Sequence, residues 1–329
     1  MYLPQELVEQ LRAHPSSIQF IRNSQNRVYS FKEAGGIERI LRLTAESHRS
    51  IAEIQDELDW LMHLNMSGAS VCPPVRQSDG AWITSVLISG EKMHAVVFEK
   101  ASGRPPVKAD LSFTLYRSHG RHLGKLHALS RRAGGQFLRR RNAWHAERYF
   151  TTDIQAYLPE EVRVPLLTRF EALKQQACAA PATEQTYGPV HFDLGYANFF
   201  ISKDDLEIFD FDNCTDAYYI GDIAAALYGG IFTGLRCDFP GDRSAFEHPK
   251  SSNHLAEMLM HFRKGYESAN QWLDGWNEQL QLWFEIMYFR SVMHAFRMQY
   301  PLENPKAKAL LYADLDNILK RELPVRIMC

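Results

Sequence analysis

The segment "GPVHFDLGYANFFISKDDLEIFDFDNC", residues 188–214, limits the available folds more than any other stretch of the chain. Asp193, Asn198, Asp210 and Asp212 stand in or beside runs of Phe, Ile and Leu. Charged and amide groups are costly among apolar neighbours unless something compensates them. The chain must therefore carry these groups to a polar site while their neighbours enter a core. The pattern predicts a loop followed by a hairpin with Lys203, Asp204 and Asp205 at its tip.

The chain has 329 residues, 45% of them hydrophobic and 23% charged, enough for two lobes, each with a core. A net charge of −2 argues against a nucleic-acid or membrane-surface partner. No run approaches the length of a membrane-spanning helix, and "MYLPQELVEQLRAH" carries acids where a signal peptide needs an apolar stretch. The 5 cysteines are odd in number, scattered and without a Cys-x-x-Cys pair, so neither a disulfide frame nor a zinc site is expected. These features predict a cytoplasmic globular protein.

The N-terminal third reads as strands. "SIQFIRNSQNRVYSF" holds two β-prone runs, 17–21 and 27–31, and "GGIERILRLT" supplies a third after a Gly-Gly break. Residues 50–64 switch to helical spacing, with Ile51, Ile54, Leu58, Leu61 and Leu64 on one face and Ser50 as N-cap. "AWITSVLI" and "HAVVFEKA" read as two more strands, followed by a hinge at "SGRPP". Beyond the hinge, "LSFTLYRSHGRHLGKLHALSRR", much of 140–180 and the segments after Ile220 have helical character. Trp272, Trp276, Trp283 and Tyr288 are expected as packing residues. The predicted fold is α+β, with a small β-rich lobe over 1–101 and a larger helical lobe over 102–329. A ligand cleft is expected at their junction.

Phosphoryl transfer requires such a set of polar groups. Metal ions that bridge phosphate oxygens need a carboxylate and one further oxygen ligand. The acceptor hydroxyl needs a carboxylate to orient it and take its proton. A cation holds the α/β-phosphates and is itself fixed by an acid on a nearby helix. Asp193 fits the base, Asn198 and Asp210 the metal ligands, and Arg42 the cation, with Glu57 as its partner and Glu53, one turn earlier, as the alternative. Only one of Asp210 and Asp212 is needed on the metal. His191 reads as a buried histidine bonded to backbone.

The set "HFDLGYANFFI…LEIFDFDN" resembles the catalytic loop and metal segment of the aminoglycoside phosphotransferase, or choline-kinase-like, family of small-molecule kinases with a two-lobed protein-kinase-like fold. The resemblance extends over residues 17–228. "IERILRLT" with "IQDELDWLMHL" is similar to the family's cation-bearing strand and the helix after it. "VVFEKASG" resembles its hinge, which implies adenine contacts at Phe98, Glu99 and Ala101. "LGKLHAL" resembles the first helix of the second lobe, and "IGDIAAALY" puts Asp222 where the family pins its catalytic loop. The resemblance further implies that His191 braces that loop, that ATP (or GTP) and Mg2+ are the cofactors, and that the protein is an enzyme. Two departures stand out. The phosphate loop reads "RNSQNRVY" without glycine, leaving Ser24 and backbone amides in that role, and Arg42 replaces the lysine of protein kinases.

His191-x-Asp193 also opens a two-His-one-carboxylate iron motif, but that reading leaves Asn198, Asp210 and Arg42 unexplained. A catalytically silent binding module of the same fold is the non-enzyme alternative, against which every required residue type is present. The expected partner is a small hydroxylated molecule, bound by a monomer or a homodimer. For a cationic acceptor, Asp216, Asp238, Asp242 and Glu247 supply charge, and Tyr218 and Tyr219 supply cation–π faces. Arg290 and His294 suit an acceptor carboxylate instead. The layout is most similar to homoserine-kinase-like and antibiotic-kinase branches, including amicoumacin-type resistance kinases. That likeness favours an antibiotic as acceptor, with an amino acid or amino alcohol as the alternative.

Overall fold

A computed structural model of the chain describes residues 3–134, 137–203, 205–234, 252–299 and 302–322. The chain divides into two compact units: Met1–Arg104, Phe137–Arg141 and Phe200–Asp212 form the first, and Pro105–Gln136, Asn142–Phe199 and Asn213–Cys329 the second.

The first unit is built on an antiparallel sheet. Its strands are β1 (Gln19–Asn23), β2 (Asn26–Lys32), β3 (Glu38–Ala45), β4 (Pro74–Val75), β5 (Thr84–Ile88) and β6 (Glu91–Glu99). The spatial order is β1-β2-β3-β6-β4, with β5 also on β6, and β1 is an edge strand whose register slips between Phe20 and Arg22. Period-two alternation along β3 sends Leu41 and Leu43 into a core with Tyr29, Phe31, Ala95 and Val97. The short helix α1 (Gln5–Gln10) adds Leu7 to that face. The opposite face receives α2 (Ile51–Met66), whose Ile54 and Leu58 pack on Val96. Ser50 caps α2 through a full capping box with Glu53, as a Ser followed by Glu at the third helical position favours. The expected hairpin is present as β8 (Phe199–Ser202) paired with β9 (Asp205–Ile208); Asp204 at its expected tip lies outside the described residues.

The second unit is helical around one small ladder. Its helices are α3 (Phe113–Arg132), α4 (Thr152–Tyr157), α5 (Glu160–Cys178), α6 (Tyr219–Gly234), α7 (Ser252–Glu267), α8 (Trp276–Gln299) and α9 (Pro305–Lys320). The ladder pairs β7 (Tyr187–Val190) with β10 (Thr215–Tyr218), Val190 opposite Thr215, so the loop from His191 leaves one end of it. The helical character expected over 140–180 resolves into single turns at Trp144–Ala146 and Arg148–Phe150, then α4 and α5. Buried Trp144 and Phe150 anchor those turns, Phe150 stacking on Phe170 with centroids 4.4 Å apart. Helices α3 and α7 cross at backbone contact. A Cβ on Gly120 would stand 1.9 Å from the Phe262 carbonyl oxygen, and one on Gly265 1.8 Å from that of Arg117, so only glycine permits the crossing. Trp272, Trp276, Trp283 and Tyr288 are all buried. Among the described residues no helix is long and apolar enough to cross a membrane. The α+β expectation, with a β-rich and a helical part, holds.

Candidate active site

In the first unit the polar groups converge on Glu57. Arg42 points away from the Leu41 and Leu43 core and grips Glu57 with both arms, Nη1 to Oε1 at 2.7 Å and Nη2 to Oε2 at 2.8 Å. Both side chains are almost wholly buried. Burial alone would favour the neutral guanidine, but the Glu57 carboxylate outweighs it and holds Arg42 charged. Glu53 is occupied by the helix cap, which settles Glu57 as the partner of Arg42. A second guanidinium, Arg141, reaches Glu57 Oε2 at 2.9 Å and also donates to the carbonyls of Glu53, at 3.0 Å, and Asp212, at 2.7 Å. Beneath Arg42 lies the Phe98 ring, 5.0 Å from the guanidinium carbon to the centroid.

Asp210 adopts φ 65°, a left-handed conformation uncommon for a non-glycine residue, and its Oδ2 pairs with Arg22 of β1. Asp212 is buried, and its Oδ2 accepts from His48 Nε2 at 2.8 Å. Burial pushes its pKa up, but His48, Arg42 and Arg49 together hold it well below the usual carboxylate range. Ser24 is exposed in the turn between β1 and β2, its N–H donating to the Asn26 carbonyl at 3.1 Å. At the end of β6, Glu99 is exposed with its N–H bonded to the Pro73 carbonyl at 3.0 Å, and Ala101 is half-buried just beyond.

In the second unit the loop after β7 is pinned by Asp222, near the start of α6. Its Oδ1 accepts from the Phe192 N–H at 2.7 Å, and its Oδ2 from the His191 N–H at 3.2 Å and from His127 Nε2 at 2.9 Å. His191 is fully buried, and its Nδ1 accepts the Asp193 N–H at 3.3 Å. The Asp193 side chain itself is 43% exposed. Two amides turn toward it: Asn198 Nδ2 lies 3.2 Å and Asn213 Nδ2 3.1 Å from Oδ2, and Asn198 Nδ2 also donates to the Asp193 carbonyl at 2.8 Å. His119, on α3, donates from Nε2 to the Leu194 carbonyl at 2.8 Å. Its burial lowers its pKa to about 4, with the bond to Leu194 only a partial offset.

The expected acceptor residues are placed differently. Tyr218 and Tyr219 are core side chains and form no cation–π platform: the Tyr218 hydroxyl donates to the Ala180 carbonyl at 2.8 Å, and Tyr219 stacks on His127 at 4.5 Å. Asp216 is half-buried in the β7–β10 ladder, its carbonyl accepting from the Tyr187 hydroxyl at 2.9 Å. Asp238, Asp242 and Glu247 lie outside the described residues. His294 is half-buried with its ring edge-on to Tyr149 at 5.8 Å, and burial lowers its pKa. Arg290, one turn earlier on α8, donates to the Phe192 carbonyl at 2.6 Å. Sequence reasoning missed Arg141, His119, His127 and Asn213. Two of these carried a signal, since His127 lies within "LGKLHAL" and Asn213 directly follows Asp212.

Asn198 in the second unit, its Nδ2 turned to Asp193, and Asp210 in the first, its Oδ2 paired with Arg22, each carry a further side-chain oxygen of the kind a hard divalent cation favours. Among the described residues no group of three or more His, Cys, Asp or Glu side chains forms a metal cage. A magnesium ion completed by phosphate oxygens and water needs none.

The profile of the phosphotransferase enzyme family (APH) matches residues 17–273. Amicoumacin kinase of Bacillus subtilis (strain 168) is 27% identical over 264 residues, which cover 79% of this chain and 74% of that protein. Among solved structures, an amicoumacin kinase in complex with AMP-PNP, Ca2+ and Ami superposes with a TM-score of 0.86 at 23% identity, covering 98% of this chain and 94% of the other. The microcompartment-associated aminopropanol kinase superposes with a TM-score of 0.73 at 20% identity, covering 98% of each chain. The family match spans both units and takes in both sets of polar groups, so the chain belongs to the phosphotransferase enzyme family (APH) and is a small-molecule phosphotransferase.

Proposed function

We propose that the chain transfers the γ-phosphoryl group of ATP to a hydroxyl of an amicoumacin-like antibiotic, with Asp193 as the base that orients that hydroxyl and takes its proton. The observation that carries this reading is the Asp193 carboxylate, accessible to a ligand yet fixed by two amide donors on a loop that Asp222 pins. A base so placed accepts a proton without reorganising. The acceptor assignment follows the likeness to amicoumacin kinases in both sequence and fold.

Nucleotide binding falls to the lobe over 1–101, where Arg42, oriented by Glu57, meets the α/β-phosphates. Ser24 and its turn serve the phosphates, and Phe98, Glu99 and Ala101 the base. Asn198 and Asp210 would hold magnesium, which when bound neutralises charge on the phosphate oxygens. His191, Asp212 and Asp222 support these groups, and the segment 102–329 receives the acceptor. GTP is the alternative donor. The enzyme acts in the cytoplasm as a monomer or homodimer.

The likeness to an aminopropanol kinase favours a second reading, an amino alcohol as acceptor. A panel separates the two: amicoumacin, an aminoglycoside, aminopropanol, ethanolamine, choline and homoserine, each incubated with Mg·ATP and followed by mass spectrometry. The antibiotic reading expects phosphorylated amicoumacin at the highest kcat/KM. Turnover confined to the amino alcohols selects the second reading, and turnover of homoserine alone rejects both.

A further inference from the structure

Phe192 stands at φ 60°, immediately before Asp193. A bulky side chain holds a left-handed conformation only where its surroundings impose it. The two ends of this residue are held from different helices. Its N–H donates to Asp222 Oδ1 at 2.7 Å, near the start of α6. Its carbonyl accepts from Arg290 Nη1, on α8, at 2.6 Å. The Arg290 guanidinium carbon lies 5.2 Å from the Phe192 ring centroid and 5.3 Å from that of Tyr149. The same Nη1 is 3.8 Å from Asp193 Oδ1, too far for a direct hydrogen bond. Arg290 is committed first to backbone. Its side chain is 12% exposed, against 43% for Asp193.

The peptide that follows, between Phe192 and Asp193, is held at both its polar groups, the carbonyl by Arg290 and the Asp193 N–H by His191 Nδ1. Rotation of that peptide would break both bonds and move the carboxylate with it. We infer that Arg290 is a positioning residue for phosphoryl transfer: by holding the Phe192 carbonyl it fixes the peptide that carries Asp193 and so aims the base. This rests on the reading of Asp193 as base. It assigns Arg290 to the protein's own loop, in place of the substrate carboxylate that its charge alone suggests. Only arginine joins a permanent charge and an edge of N–H donors to a flat face that lies against aromatic rings. Lysine keeps the charge alone.

The test compares R290K, R290Q and R290A with the wild type and with D193N, folding being checked by thermal unfolding. Loss of aim costs turnover, so R290K and R290Q are expected to lower kcat about 10- to 100-fold. The affinity for Mg·ATP and the KM for the acceptor should stay near wild type. Millimolar guanidinium ion should restore part of the kcat of R290A and leave the wild type unaffected. A folded R290K or R290Q with wild-type kcat overturns the inference. So does a loss lying wholly in the acceptor KM and confined to acceptors that bear a carboxylate, which would make Arg290 a substrate contact. D193N with wild-type turnover removes the base reading and the inference with it, whereas an inactive D193N beside fully active Arg290 variants removes the inference alone.

Discussion

As the proposed base, Asp193 would act from a fixed position. Two amides and a pinned loop orient it, and replacing the carboxylate by an amide keeps size and shape while removing the proton acceptor. D193N should therefore lower kcat by about 10²- to 10⁴-fold, the usual worth of general-base assistance, with Mg·ATP affinity nearly intact. Steady-state kinetics beside calorimetric titration measures both. Asp193, Asn198 and Asp210 stand out in the sequence as candidates because their polarity interrupts apolar runs. What orients them does not. Asn213 belongs to another strand's approach, His119 to α3 and Arg290 to α8, and each meets the loop only once the helices have packed. Tyr218 and Tyr219 misled for the opposite reason: tyrosine suits either a ligand wall or a core, and here the ladder and α6 turn both rings inward.

Among the elements, β3, α2 and the segment 137–141 form one braced assembly. Strand and helix periodicity allow Arg42 to meet an acid of α2 but leave Glu53 and Glu57 as alternatives, and the structure pairs it with Glu57. Arg141 followed from neither, because its segment leaves the second unit's run of sequence to join the first. Glu57 thus accepts from two guanidinium groups in a buried site, and removing one partner of such a charge typically costs about 3–5 kcal/mol. R141M is expected to lose stability on that order in urea denaturation. R42A and E57A should each raise the KM for ATP and lower kcat. Residues in contact couple by about 0.5–3 kcal/mol, so the double variant should fall short of the sum of the single effects. Strict additivity would mean that the pair does not act as a unit.

For the whole molecule, pH acts on stability through His119. An exposed histidine titrates near about 6.5, whereas burial holds His119 at about 4. Between these values the unfolded chain binds a proton that the folded chain does not, so stability rises with pH across this window. The contribution is complete above about pH 6.5 and is lost as pH falls toward 4, about 3 kcal/mol in all. Urea titrations followed by tryptophan fluorescence should show this slope in the wild type and a shallower one in His119→Gln. That the fold is α+β, with a β-rich and a helical part, was legible from the strand-like runs before "SGRPP" and the helical segments after it. The return of residues 137–141 and 200–212 to the first unit was not, since it depends on contacts distant in sequence. The sheet also has an outer rim with a colloidal consequence. Edge strand β1 carries two exposed apolar side chains, Phe20 at 59% and Ile21 at 51%, beside backbone groups that a neighbouring copy's strand can pair with. The register slip between Phe20 and Arg22 falls at that point, and a bulge bends and twists its strand. An incoming strand therefore loses its ladder after a few residues, so the irregularity in β1 guards the protein against edge-to-edge aggregation at high concentration.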